Sequence, residues 1–411
     1  MKQISIRINK DSIHDTLFFF LLALSFYFTR NTICNVMMVL FFGYTVYRQV
    51  LKRQMAWPFY ITGMALFILW GAINIYRGAV ISATVSRTMV ISITLNLMMI
   101  YAIVQYINMR QDINKILKLT ELAFLATAIV TFLKSLGSIF EGRLGRYTEM
   151  NSNILSMLCV YGLVLCWYLH KNKLMRTGAF AVRCIFYLTA TFLTGSRKGL
   201  IVLVICIVAI NLFVNIKKIS KNVFIGLILF AIVYILIMTV EPFYNILGTR
   251  VEDLMDLVLE GTTDDDSLLD RQELIDIGMR YIRKKPWVGY GYDCFKLVSA
   301  ESGSNMASNG EFGYYAHNNY IELLFSGGII GFVLYYIPVL WLLISLFRKR
   351  KLNKCLPYLL AIVIAKLAIE YSYVSYYVRT DAYIMAVILG CFYVCAKKRK
   401  EIRESEELEN E

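Results

Sequence analysis

The chain is a succession of long apolar runs separated by short polar breaks. A helix crosses a bilayer core with about 20 residues, and with fewer where it is packed inside a bundle, so the runs predict about twelve transmembrane helices. They centre on Leu17–Phe28, Ile33–Tyr47, Trp57–Tyr76, Thr88–Ile107, Leu119–Leu136 and Ile154–Leu169. The series continues with Phe180–Thr194, Leu200–Asn215, Val223–Val240, Tyr320–Phe347, Leu356–Tyr377 and Ala382–Ala396. One stretch departs from the pattern, Asp270 to Gly331, which is rich in polar, charged and glycine residues. It opens with an amphipathic helix over Asp270–Lys285, turns at Pro286-x-x-Gly289-x-Gly291, runs through a polar loop and places His317 at the start of the next apolar run.

Composition agrees with a polytopic all-α membrane protein. The 411 residues are 58% hydrophobic with a mean hydropathy of +0.57, above the apolar share of soluble domains. The net charge of +14 would suit nucleic acid, but Lys and Arg sit in short loops and at the ends of apolar runs, as membrane topology requires. With the N-terminus in the cytoplasm, most of the 43 Lys and Arg fall on inner segments. The positive-inside rule then places both termini in the cytoplasm and the long loop outside. The predicted organisation is helices 1–9 over residues 1–240, an extracytoplasmic loop over 241–316, helices 10–12 over 317–396 and a cytoplasmic tail over 397–411, all in the cell membrane. The first run lacks a small-residue cleavage signal and reads as a retained helix. Most of the nine cysteines lie inside apolar runs without CxxC spacing, which fits buried small hydrophobes better than disulfides or a metal site.

Arginine is the informative charged residue, because its planar head stays protonated and matches phosphate oxygens two at a time. Arg77, Arg87, Arg143, Arg146 and Arg197 lie at membrane level on the expected outer side, where arginines snorkel. Arg197 stands apart because Gly195-Ser196-Arg197-Lys198-Gly199 is a tight break between apolar runs. Arg271, Arg280 and Arg283 lie on the helix before Pro286, and 276, 280 and 283 share one face. Asp264-Asp265-Asp266 reads as a solvated turn rather than a metal site. His317 is one of three histidines; a neutral imidazole there can take a proton from a hydroxyl, or it can simply cap the helix. His14 and His170 read as structural.

Together these residues resemble a known family. Asp270-Arg271, Pro286-x-x-Gly289-x-Gly291-x-x-x-Phe295, His317-Asn318-x-x-Ile321-x-x-Leu324 and Gly328-x-x-Gly331 resemble the motifs of the O-antigen ligase and polymerase superfamily, and Ser196-Arg197-Lys198-Gly199 its upstream element. The resemblance covers roughly Gly195 to Gly331. It implies a GT-C-like fold and a glycosyltransferase whose donor is an oligosaccharide on undecaprenyl pyrophosphate, with no metal or other cofactor. It further implies that Arg197 and Arg271, assisted by Arg280, bind the pyrophosphate, and that His317 activates the acceptor hydroxyl. Guanidinium groups suit this task because charge grows on the pyrophosphate as the glycosidic bond breaks. Implied partners are membrane lipids, a chain-length regulator and a flippase, and not nucleic acid. We expect a capsule, O-antigen or exopolysaccharide polymerase. A ligase acting on lipid A core or protein is the alternative within the family, and a lipid-linked sugar flippase the alternative outside it.

Overall fold

The structure is a computed structural model that describes residues 10–28, 31–138, 143–146, 148–214, 266–301 and 313–408, with isolated positions between 235 and 252. Most of the predicted span Val223–Val240 lies outside these residues, as do 302–312, Asp264, Asp265 and most of the remainder of 241–265. The described helices are α1 (Lys10–Tyr27), α2 (Thr32–Lys52), α3 (Phe59–Tyr76), α4 (Ala83–Arg110), α5 (Ile113–Ser135), α6 (Ser152–Lys171) and α7 (Thr177–Leu193). They continue with α8 (Arg197–Val214), α9 (Asp266–Lys284), α10 (Phe295–Glu301), α11 (Asn319–Arg348), α12 (Leu356–Ile369) and α13 (Arg379–Leu408). Eight of them are long and apolar enough to cross a membrane, and α7 and α12 are shorter apolar helices. Exposed side chains such as Val39 and Val50 on α2, Leu69 on α3 and Ile344 on α11 are apolar, which is how a surface facing lipid reads. This is a polytopic α-helical membrane protein.

The chain divides into two compact units. In the first, built from 1–56, 98–194 and 383–411, α1 packs on α2 and α5, α5 on α6 and α6 on α7. Local sequence sets the helix ends. The Asn31 side chain accepts from the Ile33 amide, Asp112 from Lys115 and Asn151 from Asn153, each satisfying an amide that has no partner within its helix. Carboxylates buried here carry cations. Asp15 meets Arg110 at 3.1 Å and Lys115 at 2.5 Å, and Glu121 pairs with Arg183.

The second unit comprises 57–97 and 195–382. Here α11 packs on α3 and α12, α8 on α12 and α9 on α11. A satellite core joins the apolar face of α9 (Leu274, Ile277, Ile282) to Phe295 and Val298 of α10 and to Ile321 and Phe325 of α11.

Two predicted spans take a different form. The run Tyr320–Phe347 reads as one helix, but α11 breaks at Gly328 (φ 64°, ψ −170°). The run Leu356–Tyr377 reads as one span, but the helix stops at Ile369 and 371–378 is non-helical. The reason is shared: both backbones find partners elsewhere. The Glu370 carbonyl takes the Asn319 amide at 2.8 Å, and the Asn319 side-chain oxygen takes the Ser375 and Tyr376 amides at 3.0 and 3.2 Å. Irregular backbone within a membrane protein is tolerable when protein supplies its hydrogen bonds.

Candidate active site

The glycine turn explains the break in α11. In a continuous helix the carbonyls of Phe325 and Ser326 would accept the amides of Ile329 and Ile330. Instead Tyr290 N–H donates to Phe325 O at 2.8 Å and Gly291 N–H to Ser326 O at 2.9 Å. The displaced amides of Ile329 and Ile330 donate to Pro286 O and Trp287 O at 2.8 and 3.4 Å. Segment 286–291 therefore stands in for one turn of the helix. Trp70 Nε1 from α3 caps the Gly327 carbonyl at 2.8 Å. The approach leaves no room for side chains: a Cβ on Gly289 (φ 75°) would lie 2.5 Å from Gly328 N, and one on Gly328 would lie 2.3 Å from the Trp287 carbonyl. Pro286, Gly289 and Gly291 thus serve to clamp α9 and the following turn onto α11.

The clamp sets the segment that carries His317. Asn318, extended at φ −143°, caps α11 by accepting the Tyr320 and Ile321 amides at 3.0 and 3.2 Å. The Glu322 carboxylate reaches back to the Ala316 amide at 2.8 Å. Between these two fixed points His317 adopts φ 50°, a left-handed conformation that costs most non-glycine residues energy. Its ring is half-buried, 4.2 Å from the Tyr315 ring and 6.2 Å from that of Tyr314. The imidazole is pushed down to about 4, first by burial and then by the positive charges of Arg271 and Lys198. Both effects oppose the imidazolium, so the ring is neutral at physiological pH.

Arg271 stands half-buried on α9, and its charge also acts on Tyr315, whose hydroxyl is pushed up by burial. Two neighbours in the 315–317 strip thus register the same guanidinium. Arg280 is placed differently: nine residues further along α9 it is turned about 180° from Arg271, and it is exposed. Asp276 and Arg283 are exposed as well, so this is the outward face of the helix. The structure does not bring Arg280 together with His317 and Arg271.

Arg197 opens α8 after Gly195 (φ 55°) and is half-buried. Its neighbour Lys198 is buried, donates to the Ser372 carbonyl and lies 5.7 Å over the Tyr373 ring. Lys198 is therefore the cation of this motif whose charge acts on His317, a role the sequence reading did not give it. The reading also passed over the 370–378 segment. There Tyr373 donates to Asp381 at 2.8 Å and Tyr376 accepts the Asp293 amide at 3.1 Å. Its signal was available as the polar run Glu370-Tyr371-Ser372-Tyr373-Val374-Ser375-Tyr376-Tyr377 between apolar stretches. Lys366, near the end of α12, and Glu370, the residue that follows the helix, form a buried ion pair, with Tyr336 donating to Glu370 at 2.9 Å. Among the described residues no group of three His, Cys, Asp or Glu could hold a metal ion.

Fold and cluster together define a multi-pass α-helical membrane protein that sets cationic side chains beside one neutral histidine. Residues 182–336 match the family model described as O-antigen ligase, which supports the resemblance of these motifs to the O-antigen ligase and polymerase superfamily. Members of this family are glycosyltransferase-like enzymes that act on lipid-linked sugars. The matched segment contains Arg197, Lys198, Arg271, Pro286–Gly291 and His317, and excludes the 370–378 segment. No curated protein matches the chain.

Proposed function

We propose that this protein polymerises a surface polysaccharide, transferring glycan from an undecaprenyl-pyrophosphate carrier to a sugar hydroxyl on another lipid-linked repeat unit, with the reaction on the extracytoplasmic face. The observation that carries the reading is the neutral His317 imidazole beside Arg271 and Lys198. The cations bind the pyrophosphate, with Arg197 at the same helix start contributing a further guanidinium. His317 accepts the proton of the attacking hydroxyl, the oxygen bonds to the anomeric carbon and the carrier pyrophosphate leaves with the bonding electrons. Growing charge on the leaving group faces fixed cations, so the transition state gains more than the ground state.

The same arrangement couples binding to basicity. In the free protein Arg271 and Lys198 hold the imidazole down. An anionic donor lying against them offsets their charge, so His317 becomes a better base when a donor is present.

A deletion strain complemented with wild type or with His317→Ala tests the reading. If both the deletion and the variant accumulate single lipid-linked repeat units and lack long chains, the protein is a polymerase that depends on His317. Long chains that stay on the lipid carrier without reaching a final acceptor identify a ligase instead. Full-length glycan from His317→Ala refutes the role of the histidine.

A further inference from the structure

We propose that Glu322 is a positioning residue for His317. The proposal rests on the assignment of His317 as the acceptor-activating base. Glu322 lies in the first turn of α11 and is fully buried. Its carboxyl group accepts the Ala316 amide six residues back through Oε2 and has the Ser326 hydroxyl as its other polar neighbour, while Oε1 has no hydrogen bond of good geometry among the described residues. A buried carboxylate so sparsely satisfied is costly to keep. An ordinary helix start does not need it, because Asn318 already supplies the cap and the Asn319 amide is taken by Glu370. What remains for Glu322 to hold is the left-handed bend at His317. Asn318 fixes the chain after His317, and Glu322 fixes it before. With both in place the backbone on either side of the imidazole is set and the ring is delivered against Tyr315. With Ala316 released, the residue relaxes toward the broad allowed regions and the ring swings from its acceptor.

Three other roles compete and give different orders of activity. A pure helix cap would make Glu322 matter for folding alone. A charge acting on His317 would make Glu322→Asp better than Glu322→Gln. A proton relay through the carboxylate would also favour Asp. Positioning through one accepted hydrogen bond predicts the reverse, because a Gln side-chain oxygen keeps the reach to Ala316 and an Asp is one methylene short.

The test uses full-length protein in lipid nanodiscs with lipid-linked repeat units isolated from the deletion strain. It measures kcat, KM and donor affinity for wild type, Glu322→Gln, Glu322→Asp, Glu322→Leu and His317→Ala. Glu322→Gln is expected within about threefold of wild type. Glu322→Asp and Glu322→Leu are expected to lose on the order of 10²-fold in kcat, the scale of a misplaced catalytic group, with KM and donor affinity unchanged. Glu322→Leu combined with His317→Ala is expected to be no worse than His317→Ala alone. Asp more active than Gln, or losses that follow only the amount of folded protein, overturn the proposal. If Glu322→Leu does not accumulate, the Asp and Gln pair decides. An active His317→Ala overturns the base assignment itself, whereas an inactive His317→Ala with a normal Glu322→Asp overturns only the positioning role.

Discussion

Gly328 and His317, eleven residues apart in sequence, both hold the backbone in the left-handed region, at φ 64° and 50°. They do so for different ends. At Gly328 the bend serves architecture: it opens α11 to segment 286–291, the Phe325 and Ser326 carbonyls and the Ile329 and Ile330 amides find partners across the break, and any side chain would collide with Trp287. Glycine is the residue that pays least there. At His317 the chain keeps a large ring at a similar φ, with two side-chain anchors flanking it. Arg53, Gln111 and Lys173 also have positive φ, but each follows the end of a helix, where that conformation is a common way to stop. His317 and Asp293 (φ 61°) instead precede helices and are half-buried, and Asp293 is paired with Lys296. Strain that glycine could relieve, retained in a side chain that can accept a proton, supports the proposed role of His317.

The comparison is broken most decisively by swapping what each position supplies. His317→Ala and His317→Gly are both expected to lose on the order of 10²- to 10⁴-fold in transfer rate, the range of a lost general base, with the protein still inserted. His317→Gly is also expected to gain about 1 kcal/mol in stability from relieved strain, read as a rise in melting temperature. Activity restored by glycine would mean that the bend, and not the imidazole, matters. Conversely, Gly328→Ala is expected to destabilise the fold by about 3 kcal/mol or more through the clash with Trp287, measured by thermal unfolding in detergent.

Arg271→Lys sharpens the account of the cations. Lysine keeps the charge but not the paired donors, so we expect most activity lost through weaker donor binding. Arg280→Lys, on the outward face of the same helix, should stay close to wild type. Equal losses at both positions would show that α9 acts through its total charge.

Acid sensitivity is the next effect. His317 is held near 4 against an ordinary 6.5, so kcat/KM should persist as pH falls below 6.5 and decline only near 4. Removing a neighbouring cation relieves the depression, so the acid limb of Arg271→Met should move to higher pH. The same shift bears on stability: the folded protein takes up this proton less readily than the unfolded chain. Folding is therefore disfavoured as pH falls from about 6.5 towards 4, and unaffected by this group above 6.5.

Much of this was legible in the sequence because the bilayer makes it so. Apolar runs report helices directly, and the two glycines after Pro286 marked a close approach. The break at Gly328 was not legible, since Ser326-Gly327-Gly328-Ile329 sits in an apolar run that satisfies every length criterion for one helix. Only the donor segment 286–291, about forty residues away, makes the break affordable. Lys198 was overlooked because Arg197 beside it carries the better phosphate chemistry, and a difference of one residue turns a helical side chain by about 100°. Arg280 was drawn in through the family resemblance, and the helical period sets it on the far side of α9 from Arg271. The roles of Glu322 and Glu370 depend on backbone partners six and fifty-one residues away in the chain, which no local pattern announces.

The most direct measurement is single-turnover transfer in nanodiscs, with lipid-linked repeat units as donor and acceptor, comparing wild type with His317→Ala at matched folded concentration. The account predicts that the variant binds donor with wild-type affinity and forms no glycosidic bond on the time scale of wild-type turnover. Bond formation at the wild-type rate by His317→Ala would contradict it.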